Sequence, residues 1–167
     1  MSGYAKAVVP EPLRADAWAP FGWIPVADTD PNDGAERMTF QWEDAHVNLI
    51  GHARNEVPQL AHGLGCEMLF RHDTHTQALM ALDVPAVIAV APADVDFESP
   101  DQVESIRVFR LEPLEPFVLH RGTWHWGPFP VAAEEVRLYN VQGLRYAEDN
   151  RCMDLAAKGL SVEVDLS

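Results

Sequence analysis

The sequence predicts an all-β fold, either an antiparallel sandwich or a closed β-barrel, from two patterns. Runs rich in β-branched and apolar residues recur along the chain, and no long helical pattern separates them. The 13 prolines fall mostly between these runs, where turn residues are expected. A closed barrel is the natural form of such a sheet because closure leaves no long unpaired edge.

The predicted elements follow one another without a repeat or a Gly/Ser linker. Strands are predicted at residues 39–50, 66–72, 77–91, 106–111, 115–120 and 136–141. Residues 12–22 carry apolar side chains at helical spacing, which predicts a short helix lying against the sheet. A second short helix is predicted at residues 149–158. We expect residues 1–167 to form a single domain.

The charge of the chain limits its partners. There are 26 acidic and 12 basic residues, which gives a net charge of -14. This field repels phosphate backbones, so nucleic acid and anionic membrane surfaces are not expected partners. A small carboxylate substrate would likewise be repelled unless its site carries a local positive charge.

The chain carries no sequence feature of export or membrane insertion. The longest apolar run, residues 84–93, contains two prolines and is well short of the roughly 20 residues that a membrane helix needs. The N-terminus lacks a basic stretch leading into an apolar run. Cys66 and Cys152 form no disulfide framework. We therefore expect a cytoplasmic protein with two reduced thiols.

Four of the seven histidines lie in two short segments, residues 71–77 and 120–128. In a strand, residues two apart face the same side, so His75 and Gln77 are expected to project together. With His125 they provide two imidazoles and an amide, which suit Ni, Zn, Mn or Fe. The alternative is that these are hydrogen-bonded interior histidines without a metal. No organic cofactor is expected.

The second segment contains Gly122 three residues before His125, following a predicted strand. This spacing matches the second cupin motif, in which the histidine points into the barrel. Trp124 and Trp126 flank His125 and are expected to wall a dry pocket, unless they are simply core residues.

Arg71 and Arg121 each adjoin a histidine of these segments. A guanidinium offers the planar fork that a carboxylate needs, although a surface ion pair is equally compatible with each position. The remaining histidines, His46, His52 and His62, are expected on the surface or in loops.

Together the two segments resemble the ureidoglycolate lyase family. The matching residues are Arg71, His72, Thr76, Gln77 and Ala78, followed by His120, Arg121, Trp124 and His125. Residues 12–22 also resemble the family's opening, and residues 149–155 loosely resemble its closing segment.

The resemblance implies a cupin double-stranded β-helix with one or two short peripheral helices, usually a homodimer. It implies conversion of ureidoglycolate to glyoxylate and urea by acid–base catalysis. The catalytic residues would be His72, Gln77, His120 and His125, and Arg71, Arg121, Trp124 and Trp126 would contact the substrate.

The chain departs from the family pattern at four positions. Phe70 replaces a glutamate, His75 is an additional histidine, Trp126 replaces the second of two paired histidines, and His52 occupies the place of an arginine. Two hypotheses for His75 follow: it is a metal ligand, or it is a metal-free acid or base that replaces the lost histidine. Two alternative functions also stay open, namely a metal-dependent cupin isomerase or oxygenase and a non-enzymatic small-ligand-binding cupin.

Overall fold

The computed structural model describes residues 3–28, 34–42 and 44–167 and consists mainly of β-strands. The strands of this described part are β1 (Tyr4–Val8), β2 (Glu11–Pro12), β3 (Gly22–Trp23), β4 (Ala45–Ala53), β5 (Gln59–Leu60), β6 (Gly63–Cys66), β7 (Met68–Arg71), β8 (Gln77–Ala81), β9 (Ala86–Ala91), β10 (Arg107–Leu111), β11 (Pro116–Leu119), β12 (Trp124–Pro130), β13 (Glu135–Gly143), β14 (Arg151–Asp154) and β15 (Leu160–Asp165). The helical segments are α1 (Ala15–Trp18) and the 3-10 turns Arg54–Glu56, Pro100–Ser105, Tyr146–Glu148 and Ala156–Lys158.

The described strands form three sheets that stack in layers. The first sheet has the order β1-β15-β6-β5, the middle sheet β14-β7-β12-β9-β10-β2, and the third sheet β3-β11-β8-β13-β4. This arrangement confirms the predicted all-β fold of the cupin kind. That residues 1–167 form a single domain stays a prediction.

Strand β9, inside the middle sheet, is buried on both faces. All six residues of this strand are buried, and its sequence, AVIAVA, is apolar without alternation. Val87 and Ala89 pack with residues of the first sheet, whereas Ile88 and Val90 pack with residues of the third sheet. The two apolar cores therefore lie on opposite sides of one strand.

The short helix predicted within residues 12–22 is confirmed as α1. Its last residue, Trp18, is completely buried, and its indole Nε1 donates a hydrogen bond to the carbonyl of Val118 at 3.0 Å. The Trp18 ring lies edge-on to Phe109 and Phe117 at centroid distances of 5.1 and 5.2 Å. One aromatic anchor thus attaches α1 to the core between the middle and third sheets.

The predicted helix at residues 149–158 is wrong. Residues 151–154 form β14, which pairs antiparallel with β7 so that Cys152 lies opposite Phe70. Only Ala156–Lys158 forms a 3-10 turn. Pairing with a distant strand overrides the local helical preference, which is a weak determinant on its own.

Several strand boundaries also differ from the prediction. The run at 77–91 is two strands in different sheets, β8 and β9, so the chain crosses between layers at residues 82–85. Strand β12 was not predicted because Pro128 and Pro130 interrupt its pattern. Within the described residues, no helix is long and apolar enough to span a membrane.

Candidate functional site

A cavity of about 750 Å³ opens between the middle and third sheets. Strand β4 contributes Asn48, Ile50 and His52 to its lining, and β8 contributes Gln77 and Leu79. The opposite wall comes mainly from β7 and β12, with Met68, Phe70, His125, Trp126 and Phe129. Alternation explains the contributions of β4, β7 and β8, since every second residue faces the same side, whereas β12 contributes consecutive residues next to an irregularity in its pairing with β9.

His72 follows β7 and is held by the backbone of a distant segment. Its Nδ1 lies 2.6 Å from the carbonyl oxygen of Asp149. A carbonyl can only accept a hydrogen bond, so Nδ1 carries the proton and the neutral ring keeps a free lone pair on Nε2. Burial lowers the pKa of His72, although Asp149 and Asp73 act in the opposite direction. His72 is therefore a neutral base with a defined orientation.

His125 on β12 has the same tautomer for the same reason. Its Nδ1 lies 3.1 Å from the carbonyl oxygen of Thr123, which again leaves the lone pair on Nε2. Burial, reinforced by the nearby His72, lowers the pKa of His125 to about 3. The sequence prediction that His125 points into the barrel agrees with its position in the cavity lining.

The rings of His72, His75 and His125 form one cluster. The His72 ring stacks on His75 with a centroid distance of 4.6 Å and lies 5.3 Å from the His125 ring. Burial and then the proximity of His72 lower the pKa of His75 to about 4. Such close imidazoles cannot all carry a proton, because like charges at this distance disfavour one another.

His75 lies behind His72 rather than in the large cavity. Its ring is buried against Gly143, where a Cβ atom would come within 2.8 Å of the His75 Nδ1. This Nδ1 is 3.7 Å from a carboxylate oxygen of Asp149, and the buried Nε2 has no hydrogen-bond partner. Any side chain at position 143 would therefore displace the ring.

Asp149 connects the histidine cluster to the chain between β7 and β8. Its carboxylate accepts hydrogen bonds from the backbone N–H of Asp73 at 3.0 Å and of Thr74 at 2.7 Å. Burial raises the pKa of this carboxyl, but hydrogen bonds from the Thr74 hydroxyl and from these two N–H groups outweigh it and the pKa is lowered. Sequence analysis assigned Asp149 no role, because an acidic residue in a polar segment resembles any surface carboxylate.

Gln77 is oriented by a chain of amide side chains. Its Nε2 donates to Oδ1 of Asn140 at 2.8 Å, and Nδ2 of Asn140 donates to Oδ1 of Asn48 at 2.8 Å. Asn140 is completely buried, and Oε1 of Gln77 is buried without a hydrogen-bond partner. Asn48 and Asn140 share the parity of the less exposed residues of β4 and β13, and this alternation is the signal that could have identified them.

A second, small pocket, too narrow to hold a water molecule, adjoins the cavity. Its lining includes the three predicted metal ligands, His75, Gln77 and His125, together with His120. His120 is half-buried and its ring lies 5.4 Å from that of Trp23. His75 lies two residues before β8 and lines this pocket together with Gln77 and His125.

The donor set around this space fits a divalent cation in its chemistry. Two imidazoles and an amide oxygen are suitable ligands, and the Nε2 of His75 and Oε1 of Gln77 are both buried without partners. Nδ1 of His125 donates a hydrogen bond to a backbone carbonyl. A metal-bound histidine usually makes such a hydrogen bond with the ring nitrogen that does not bind the metal. Within residues 3–28, 34–42 and 44–167, no three His, Cys, Asp or Glu side chains are grouped to hold a metal ion.

Three of the predicted substrate-binding residues lie outside the cavity lining. Arg71 is on the opposite face of β7 from Phe70, where its guanidinium lies 4.6 Å above the Trp124 ring and its Nε is 3.1 Å from Asp73. The Trp124 indole donates to the carbonyl of Val95. Arg121 is exposed at the turn before β12. Trp126 alone of the four lines the cavity.

The expectation that His52 lies on the surface or in a loop is wrong. It sits at the end of β4, is half-buried in the cavity wall, and its ring packs 5.1 Å from that of Phe129. Burial lowers the pKa of His52. A pattern of alternating residues in β4 could have identified it, because His52 shares the parity of Asn48 and Ile50.

The chain matches the model of one known family, although no curated protein matches it. The family model for ureidoglycolate lyase matches residues 5–163 of the 167 residues. The match includes every histidine, amide and carboxylate of the site described above. The chain therefore belongs to the ureidoglycolate lyase family, which is a family of enzymes.

Proposed function

We propose that this protein is a lyase that splits ureidoglycolate, or a closely related ureido carbinol, into glyoxylate or its analogue and urea. The observation that carries the proposal is the pair of imidazoles, His72 and His125, each with Nδ1 bound to a backbone carbonyl and Nε2 left as a base. Both rings line one cavity of sufficient size for a small substrate.

The reaction requires one proton to move from oxygen to nitrogen. A base removes the carbinol O–H proton, the C–N bond breaks with its electron pair going to nitrogen, and the nitrogen of the departing urea takes up the proton. We assign this transfer to Nε2 of His72. The imidazolium formed there is stabilised by the Asp149 carbonyl and by the nearby carboxylates of Asp149 and Asp73.

His125 has a different role in this scheme. Burial lowers the pKa of His125 to about 3 and keeps the ring neutral, so its Nε2 accepts a hydrogen bond from the substrate rather than holding the proton. The unpartnered Oε1 of Gln77 is a second acceptor, suited to a ureido N–H. The amide chain through Asn140 prevents Gln77 from presenting its NH₂ group instead.

A second candidate adds a divalent ion at His75, Gln77 and His125. It is supported by the two buried atoms without partners, Nε2 of His75 and Oε1 of Gln77. When bound, such an ion would act as a Lewis acid on a substrate oxygen. The isomerase or oxygenase alternative depends on this ion, whereas the lyase reaction described above does not.

We further propose a homodimer and a cytoplasmic location. Val47 and Leu49 on β4 and Tyr139 on β13 are exposed, and the register pairing of Tyr139 with Leu49 puts them on the same outer face. Such a contiguous apolar sheet face is typical of an interface between subunits. Cys66 and Cys152 are both free thiols, which suits a reducing compartment.

The proposed activity is tested by incubating the purified protein with ureidoglycolate and measuring glyoxylate and urea separately. Equal amounts of the two products, formed faster than in the absence of protein, are expected. Stable binding that raises the melting temperature without either product would contradict the proposal and favour a ligand-binding cupin.

A further inference from the structure

One buried polar side chain of the cavity has no role in the scheme described above. Gln142 on β13 lines the cavity and is only 5% exposed. Among the residues that the structure describes, none forms a hydrogen bond with its side-chain amide, and neither polar atom of this amide is fully enclosed by protein. Both Nε2 and Oε1 of Gln142 are therefore open to a ligand in the cavity.

Strand pairing places Gln142 beside Gln77. The antiparallel register of β13 with β8 ends at Val141 and Ala78, and Gln142 and Gln77 are the next residues of the two strands. The two side chains therefore leave the same face of the third sheet as neighbours, and both line the cavity. Gln77 donates its hydrogen bond to Asn140, two residues before Gln142, so the Gln142 amide stays available.

Packing alone gives no reason for a glutamine at position 142. A buried amide without a hydrogen-bond partner destabilises the folded protein, because the group has lost water and gained nothing in exchange. Neighbouring positions on the same face of the sheet hold apolar side chains instead, since Leu138 on β13 and Leu79 on β8 are both buried. A ligand with complementary hydrogen-bonding groups accounts for the amide at this position.

The amide of a glutamine can distinguish a carbamoyl group from a carboxylate. It presents an N–H donor and a carbonyl acceptor side by side. The terminal H₂N–C=O of a ureido compound presents the same two groups, so the two amides can pair through two parallel hydrogen bonds. A carboxylate offers acceptors only and would leave Oε1 of Gln142 without a donor. Gln142 is therefore suited to the ureido end of the substrate rather than to its carboxylate end.

We infer that Gln142 recognises the terminal carbamoyl group of the substrate, with Nε2 donating to the ureido oxygen and Oε1 accepting from the terminal NH₂. This inference rests on the proposed lyase activity and adds a specificity-determining contact to it. Oε1 of Gln77, the acceptor proposed above, then receives the N–H that adjoins the carbinol carbon. The two neighbouring amides thus contact the two nitrogens of one ureido group.

The test measures binding of two unreactive probes by calorimetric titration. Ureidoacetate lacks the carbinol hydroxyl and cannot undergo the lyase reaction. N-acetylglycine has the same charge and nearly the same size, but a methyl group replaces its terminal NH₂. The wild type is expected to bind ureidoacetate about tenfold more tightly or better, because the methyl group leaves Oε1 of Gln142 unpaired in the complex.

Gln142→Met tests the assignment to this residue, because methionine has a similar length without hydrogen-bonding groups. The variant is expected to lose the preference for ureidoacetate, and its melting temperature is expected not to fall, since no protein partner of the amide is lost. A structural role would lower the melting temperature instead. Gln41→Met makes the same change at an exposed position outside the cavity and is expected to keep the wild-type preference. If Gln142→Met fails to fold, Gln142→Leu replaces it with a smaller apolar side chain.

The outcomes separate this inference from the lyase proposal. Equal binding of the two probes to the wild type, or an unchanged preference in the Gln142 variants, would overturn the inference, and glyoxylate and urea formed from ureidoglycolate would still support the lyase. A preference that the Gln142 variants abolish, in a protein that forms neither product, would support the contact and overturn the lyase reaction. A wild type that binds neither probe would overturn the inference.

Discussion

Nδ1 of His72 lies 2.6 Å from the backbone carbonyl of Asp149, a residue 77 positions later in the chain. The Asp149 side chain in turn accepts hydrogen bonds from the backbone of Asp73 and Thr74. The segment after β7 and the segment before β14 therefore hold each other in position. The tautomer of His72, and with it the proposed base on Nε2, depends on this long-range contact.

Replacement of the cavity histidines should remove most of the activity. Both His72→Ala and His125→Ala are expected to lower the rate of glyoxylate formation by about 10²–10⁴, the usual contribution of a positioned acid or base. His62→Ala is the matched control, because His62 is exposed outside the cavity. Equal rates for His125→Ala and His62→Ala would refute the assignment of the site.

The amide chain should matter for both stability and substrate binding. Asn140→Leu removes the hydrogen bonds to Gln77 and Asn48 inside the protein, and leaves their buried polar atoms unpaired. We expect a loss of about 1–3 kcal/mol in the free energy of unfolding. We also expect a higher KM, because the Gln77 amide can then rotate. Urea denaturation and steady-state kinetics measure the two effects, and Asn48→Ala, which removes one bond, should show a smaller loss of stability.

The buried histidines should make the protein less stable as the pH falls. Burial lowers the pKa of His75 to about 4 and that of His125 to about 3, whereas in the unfolded chain both have the ordinary value of about 6.5. Between about pH 6.5 and about pH 4 the unfolded chain binds protons that the native protein does not. The free energy of unfolding must therefore decrease as the pH falls through this window.

His125→Asn tests this linkage because it removes one of the groups responsible. Its free energy of unfolding, measured by urea denaturation from about pH 7 to about pH 4.5, should fall less steeply than that of the wild type. His62→Asn, at an exposed position, should keep the wild-type slope. A slope in His125→Asn as steep as in the wild type would show that other groups control the acid sensitivity.

The two hypotheses for His75 differ in their dependence on metal. If His75, Gln77 and His125 hold a divalent ion, the purified protein should contain Ni, Zn, Mn or Fe, and His75→Ala should lose it by elemental analysis. If His75 acts without metal, EDTA should have no effect, while the substitution should change one limb of the pH–rate profile. His120→Ala is a useful comparison, since His120 lines the same space but is not a proposed ligand.

The proposed dimer should depend on the outer face of β4. Leu49→Asp introduces a charge into the exposed apolar group that includes Val47 and Tyr139. Sedimentation at micromolar concentration should change from dimer to monomer, with the melting curve retained. Leu114→Asp, at an exposed position outside this group, should leave the sedimentation unchanged. A wild-type protein that sediments as a monomer would contradict the proposal.

The sequence by itself determined the all-β fold, because alternating and apolar runs report directly on which residues can be buried in a sheet. It also determined the family, since the segments around His72 and His125 retain the family's residues at the same spacing. The imidazoles of His72 and His125, which the proposed reaction needs, were identifiable for the same reason. Strand alternation further predicted that His75 and Gln77 project together, and both line the same small pocket.

Only the tertiary structure decided which neighbours of these residues share the cavity. Arg71 adjoins His72 in sequence, yet successive residues of a strand point to opposite faces, so its side chain lies outside with Trp124. Asn48 and Asn140 come from β4 and β13, far from either histidine segment, and reach Gln77 through the pairing of β4 with β13 and of β13 with β8. His52, also on β4, lines the cavity with His125 although the two residues belong to different sheets. Asp149 acquires its role from hydrogen bonds across 75 or more positions. Such contacts depend on how layers pack, and packing is set by the whole chain rather than by local spacing.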